Sequence, residues 1–333
     1  MRMKKRAVNI GIAGMGFYFP KATVDTMIIA KEDNIEDRVY ENTGVKRIFK
    51  PSEKDTTAKM AYDSSIVAIK DAGIAADDID MIIVNTFRND YWHWSMSAWL
   101  KVQLGAPHAV TLEITGGCAS HFYAVETAVD QIAGSDDINT VLVVCSEKLF
   151  GYGWPTFLSS GSQALIIQRE CPQFRYLGFS HSNLIKYHEN AYIPYGGTAE
   201  PFSNDTEWKG EGFIENVKVD TNLYFEHIKP IFFDRFKEIT DQLMLDTGRN
   251  ISEVKYMVTL TQQKNFESRI LNHLGIPSVP CGREYKETLG HFSGADPYII
   301  LDQARKHGKI KKGDLILNFN IGGVTWNAAL LEY

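Results

Sequence analysis

No part of the 333-residue chain approaches the roughly 20 consecutive apolar residues that a membrane-spanning helix requires. Sulfur is sparse. Four cysteines stand at 118, 145, 171 and 281 without a C-x-x-C pair, and no His/Cys cluster has zinc spacing. Neither a disulfide framework nor a metal site is therefore expected. Basic charge is not concentrated: beyond the start MRMKKR no run of Lys and Arg stands out, and the formal net charge is −6. That excludes nucleic acid as the expected partner. The basic start leads into VNIGIAGMG, too short and too rich in glycine for the apolar stretch of a signal peptide, so a cytoplasmic location is expected. A dinucleotide fingerprint is missing as well. GIAGMG (11–16) has glycines spaced GxxGxG rather than GxGxxG, with no clear helix behind it. With 44% hydrophobic and 23% charged residues, the composition is that of a soluble protein with a large core.

What the chain does have is an internal repeat. At an offset of 175 residues, DAGIAADDIDMIIVNTF (71–87) lies over DTGRNISEVKYMVTLTQ (246–262). Amphipathic stretches precede both, AKMAYDSSIVAIK and FDRFKEITDQLML, and apolar strands follow. Gly73 and Gly248 stand where a helix C-cap glycine belongs. The same offset sets TVLVVC (140–145) over LILNFN (315–320) and GGCAS (116–120) over HFSGA (291–295). Two similar α/β halves, 1–172 and 173–333, are expected to share one core, with helices packed between their sheets. Residues 181–230 read as a loop-like aromatic insertion.

Within ITGGCASHFYAVETAVDQIAG, Cys118 follows a strand and two glycines and opens a helical pattern. The positive end of the helix dipole favours a thiolate there, although a small buried residue fits the same position. His291, after Gly290, occupies the matching turn of the second half. If the two turns converge, Cys118 and His291 form a nucleophile–base pair; otherwise His291 is a turn residue. His121 is the alternative base, or a packed helix residue. Cys145, in mid-strand, is expected in the core. The glycines of NIGGVTW (320–326) suit an oxyanion hole or a plain hairpin.

Taken together, these segments resemble β-ketoacyl synthase III along nearly the whole chain: GIAGMGFYFPKATV the family's opening strand and turn, ENTGVKRIF its RTGI-ERR segment, GGCAS its nucleophile turn, and GDLILNFNIGGVTWNAALLEY its C-terminal glycine loop. The resemblance implies a duplicated five-layer αβαβα thiolase fold and a homodimer, or else an assembly with a related synthase subunit. It implies an acyl thioester on Cys118, an oxyanion hole from the amides of Cys118 and Gly322, and acyl-CoA or acyl carrier protein as partner, with no resident cofactor. The site departs from the family. TQQKN stands for HQAN, so Gln262 replaces the histidine while Asn265 keeps the asparagine; GHFSGA stands for GNTS, so His291 replaces the second asparagine. A Cys118–Gln262–His291 site follows. SSGSQA (159–164) replaces GDGAGA, and Arg38 and Tyr152 stand for the residues that clamp the coenzyme A adenine. The aromatic segment FRNDYWHWSMSAW (87–99) falls where the family lines its acyl channel, which makes Phe87 and Trp92 candidate substrate contacts, as Asn265 is; a dimer contact is the other reading of this segment.

Three functions follow from the resemblance. The first is a specialised Claisen-type condensation in lipid or secondary-metabolite biosynthesis. The second is acyl transfer to an oxygen or nitrogen nucleophile, with His291 as base. The third is a non-catalytic subunit of a synthase complex, against which the retained Cys118 argues.

Overall fold

The structure, a computed structural model, describes residues 9–153, 156–207 and 216–333. The basic start MRMKKR and residues 208–215 of the expected insertion lie outside the described residues.

Nine strands build two mixed sheets. β1 (Ile10–Tyr18), β2 (Met81–Asn85), β3 (Val110–Ile114), β4 (Thr140–Glu147) and β5 (Gly161–Arg169) form the first, in the order β1-β5-β4-β2-β3. β6 (Arg175–Asn183), β7 (Val254–Val258), β8 (Leu315–Gly322) and β9 (Thr325–Glu332) form the second, in the order β6-β9-β8-β7. In both sheets the antiparallel pairs sit at one side and the parallel pairs at the other. Among the described residues the second sheet has no counterpart of β3; there Met257 N donates to Pro280 O at 3.0 Å instead.

The repeat is visible element by element. α1 (Thr57–Ala72) and α4 (Phe232–Thr247) differ by 175 residues at both ends, as do β4 and β8. Gly73 and Gly248 close their helices with φ of 69° and 67°. The continuous apolar run TVLVVCSE is buried at every position, as a strand covered on both faces must be. Helices α2 (Met96–Leu104), α3 (Ser120–Gly134), α5 (Phe266–His273) and α6 (Asp296–Lys306) complete five layers. α1 and α2 cover the outer face of the first sheet through Ala61, Ala68 and Leu100 against Ile82, Val144 and Ile166. α4 and α5 cover the outer face of the second through Phe236, Leu243 and Ile270 against Leu317, Phe319 and Leu330. Between the sheets lie α3 and α6, with Phe122, Val125, Ile300 and Leu301 packed against Val143, Leu165, Ile316 and Ala329. These two helices are buried on several sides because both sheets press on them, and both begin at the turns that carry the candidate site.

The loop-like reading of 181–230 needs correction at both ends. Its first three residues complete β6, because Ser182 and Asn183 pair with Trp326 and Thr325 of β9. Beyond them Ile185–Asn190 is helical, Ala191–Tyr192 pairs with Lys218–Val219, and residues 221–230 are helical and lead into α4, so that end is not loop either.

The glycines of GIAGMG serve packing, since they let α1 lie directly on β1. A Cβ at Gly16 would stand 2.0 Å from Ser64 O and 2.4 Å from Ala68 N, both backbone atoms of α1. Gly16→Ala is therefore expected to force the helix off the strand and to lower stability by about 2–3 kcal/mol, read as a lower denaturant midpoint at unchanged slope.

Candidate active site

Cys118 sits in a single 3₁₀ turn, Gly117–Ala119, that feeds α3, and it is half-buried. Gly117 has φ 72°, and Ser120 Oγ donates to Gly117 O at 2.6 Å, which holds the turn shut. The matching 3₁₀ turn, Ser293–Ala295, feeds α6. The two turns touch. A Cβ at Gly294 would lie 2.3 Å from His121 Cβ and 2.8 Å from Cys118 O, so only glycine permits this approach. His291 precedes the second turn and is clamped through its backbone: His291 N donates to Phe157 O, and Ser159 N donates to His291 O, both at 2.9 Å.

This geometry brings His291 Nε2 to 3.5 Å from Cys118 Sγ. The other ring nitrogen, Nδ1, donates to Asp296 Oδ2 at 2.6 Å. Asp296, the first residue of α6, is 2% exposed and accepts two further N–H groups, from Phe292 and Thr261, each at 2.6 Å. Burial opposes a charged imidazole at His291, but the charge and hydrogen bond of Asp296, with smaller contributions from Cys118, outweigh it and raise the pKa to about 10. The arrangement is a cysteine, a histidine and a carboxylate in line. Such a set can hold an imidazolium against a thiolate and can return the imidazole to proton transfer once the sulfur is acylated.

The other expected residues fall at varied distances from this line. Gln262 is half-buried and Asn265 exposed, and among the described residues neither hydrogen-bonds to Cys118 or His291. The TQQKN segment meets the site through a different group, the backbone N–H of Thr261 on Asp296. Gly322 ends β8 against the start of α3, where a Cβ on it would stand 2.6 Å from Ala119 N. It pairs with Thr325 across a tight hairpin, so the hairpin and the approach to the nucleophile turn are one feature. Phe87 and Trp92 both line a cavity of about 850 Å³, together with Tyr195 and Phe202 from the insertion. The Phe87 ring also borders Gly117, 3.7 Å from where a Cβ would be. Arg38 and Tyr152 line a second cavity of about 520 Å³ with Asn42, Gln263 and Lys264. His121 is fully buried beside Tyr298, and burial drives its pKa down to about 3, so it is a neutral packing residue. Cys145 is buried in the core, which pushes its thiol pKa up.

Two carboxyl groups went unnoticed in the sequence. Asp296 had a usable signal, an acidic residue at a helix start five positions after a candidate base. Glu147 had only its position at the end of an otherwise uncharged buried strand. No group of three or more His, Cys, Asp or Glu residues suited to a metal occurs among the described residues.

Comparison with known proteins agrees with this architecture. The family described as 3-oxoacyl-[acyl-carrier-protein (ACP)] synthase III C terminal matches residues 244–333. The β-ketoacyl-[acyl-carrier-protein] synthase III of Rhodopirellula baltica is 24% identical, over 98% of this chain and 99% of its own. The solved 3-oxoacyl-[acyl-carrier-protein] synthase III of Aquifex aeolicus superposes with a TM-score of 0.77 at 22% identity, over 97% of this chain and 100% of its own. The acyltransferase ChlB3 superposes with a TM-score of 0.81 at 19% identity, over 97% of each chain. At such identities the superpositions speak for the fold, which is the thiolase fold. Residues 244–333 thus match a synthase III family model, and nearly the whole chain is similar to β-ketoacyl-[acyl-carrier-protein] synthase III.

Proposed function

We propose that this acyl-transferring enzyme moves an acyl group from a coenzyme A or carrier-protein thioester onto Cys118 and then to an oxygen or nitrogen nucleophile. The observation that carries this reading is the single imidazole of His291 between Cys118 Sγ and the Asp296 carboxylate. In the first half-reaction the Cys118 sulfur attacks the thioester carbonyl, a new C–S bond forms, and the departing thiolate takes the proton held on His291. In the second, His291 Nε2 accepts the proton of the incoming O–H or N–H group as that atom bonds to the acyl carbon. The Cys118 C–S bond then breaks and the sulfide regains its imidazolium partner. A carboxylate-backed imidazole suits this proton transfer. The amides near Cys118 and Gly322 are the candidate donors to the tetrahedral oxyanion.

Decarboxylative Claisen condensation is the second reading, favoured by the name of the Rhodopirellula relative. It asks for side-chain donors around the carbonyl of a second thioester as enolate charge develops. Here one imidazole nitrogen is committed to Asp296, and Gln262 and Asn265 have no hydrogen bond to the pair. That balance favours transfer to O or N. The cavity lined by Phe87 and Trp92 is the proposed acyl or acceptor chamber, and the cavity with Arg38, Tyr152 and Lys264 the proposed mouth for the donor. The aromatic segment also supports a homodimer, since Tyr91 and Trp92 are 69% and 85% exposed.

Intact-mass analysis after incubation with acyl thioesters is expected to find one acyl group, mapped by digestion to Cys118. Acylation of Cys145, Cys171 or Cys281 instead would refute the assignment. In single-turnover assays His291→Ala should slow transfer by about 10²–10⁴-fold. With malonyl thioesters, release of carbon dioxide coupled to carbon–carbon bond formation would decide for condensation.

The raised His291 value gives a pH signature. Because the folded value, about 10, lies above the ordinary 6.5, the Asp296–His291 pair stabilises the fold fully below pH 6.5, and this contribution is lost as pH rises through about 10. Asp296→Asn removes the charge that raises it. The denaturant midpoint of the parent should therefore fall as pH rises from 6.5 towards about 10, and that fall should be much smaller in this variant.

A further inference from the structure

The carboxyl of Glu147 is a buried titratable group beside the candidate site with no part in the proposed mechanism. It ends β4 and is 2% exposed. Both of its oxygens accept from the Phe87 N–H, at 3.1 and 3.2 Å, and Thr86 Oγ1 lies 3.4 Å from Oε2. Phe87 in turn borders Gly117 and lines the 850 Å³ cavity. Glu147 therefore joins the end of a central strand to the wall of the chamber beside Cys118.

We propose that Glu147 is a positioning residue that acts as a neutral acid, fastening Phe87 to the chamber wall while adding no second unbalanced anion beside the Cys118–His291–Asp296 line. The inference rests on the acyl-transfer reading of that line. Its physical basis is the local charge count. The buried centre holds one cation, on His291, and one carboxylate, Asp296. Each covalent step adds negative charge at Cys118, either on sulfur or on the tetrahedral oxygen. An ionised Glu147 would oppose that charge in a medium of low dielectric constant, where like charges are costly.

The surroundings favour the neutral form. From the segment after β2, Thr86 and the Phe87 N–H face the carboxyl; from the turn before α6, His291 and Ser293 do. On its own strand, Cys145 stands two residues away with its pKa pushed up by burial. Lys148 is exposed and directs its ammonium to Ser52 O at 3.3 Å. Burial is the largest influence and outweighs the hydrogen bonds and the His291 charge, raising the Glu147 pKa to about 8. Ser293, 0% exposed with φ 57°, keeps its hydroxyl on this side of the turn in a backbone conformation that serine rarely adopts.

The test has two arms. Infrared difference spectra of the whole chain, from about pH 6 to about pH 9.5, should contain a protonated-carboxyl band that disappears on the alkaline side and is missing in Glu147→Gln. The rate of transfer from preformed acyl-Cys118 to hydroxylamine in the parent, divided by that in Glu147→Gln at the same pH so that the titration of His291 cancels, should fall about tenfold between about pH 7 and about pH 9. Glu147→Leu, which removes the acceptor for Phe87 N–H, should raise KM across the whole pH range. The proposal is overturned if Glu147 gives no protonated band near neutrality, if the quotient of parent and Glu147→Gln rates stays constant from about pH 7 to about pH 9, or if Glu147→Leu leaves KM unchanged. If Cys118 takes up no acyl group, the acyl-transfer reading fails, while the infrared band still reports on Glu147 independently.

Discussion

The Asp296 carboxylate is the point on which the rest of the site hangs. It accepts three N–H groups from three separate places: the His291 ring, the Phe292 backbone and the Thr261 backbone beyond β7. A buried carboxylate without such partners would be strongly disfavoured. With them it fixes the tilt of His291, the entry of the chain into α6, and the end of a parallel strand at once. His291 cannot turn away from Cys118 without breaking the Asp296 bond, and Asp296 cannot move without unpairing Thr261. The fold supplies the complementary constraint. Two helices trapped between sheets must begin where their strands end, and a glycine at 294 lets those beginnings touch.

Charge so far inside a protein has to be balanced locally. The His291–Asp296 pair is one instance, and Lys286 with Glu267, also buried, is another. Burial brings the Lys286 pKa down to about 7, against the pull of Asp296. The two pairs thus share an electrostatic neighbourhood behind the His291 turn. Cys118 is half-buried, so the His291 imidazole beside it is less screened than it would be on an open surface. The same burial explains why Glu147, which forms no ion pair among the described residues, is held as an acid despite the His291 charge.

Much of this was legible in the linear chain. The duplicated halves announced themselves because helix caps, amphipathic periods and apolar strands recur at one offset, and those are local features that each segment carries by itself. The turn of Cys118 was legible for the same reason: two glycines after a strand and before a helix leave little choice of backbone. Even the meeting of Cys118 with His291, 173 residues apart, was expected from the repeat, because matching turns at one offset can converge.

What no local pattern carried was the choice of partners around that pair. Gln262 and Thr261 are adjacent in sequence, yet it is the Thr261 backbone that reaches Asp296, while among the described residues Gln262 makes no hydrogen bond to Cys118 or His291. Glu147 is 60 residues from Phe87, and only the parallel pairing of β2 with β4 brings the two together. The amino-acid sequence by itself determined the two halves, their strand and helix order, and the turns that present Cys118 and His291, because short-range sterics, capping and periodicity settle those. The tertiary structure alone decided that a carboxylate backs His291, that His121 is a neutral packing residue, and that Glu147 sits beside the chamber. Those outcomes depend on burial and on distances of a few ångströms between segments far apart in the chain.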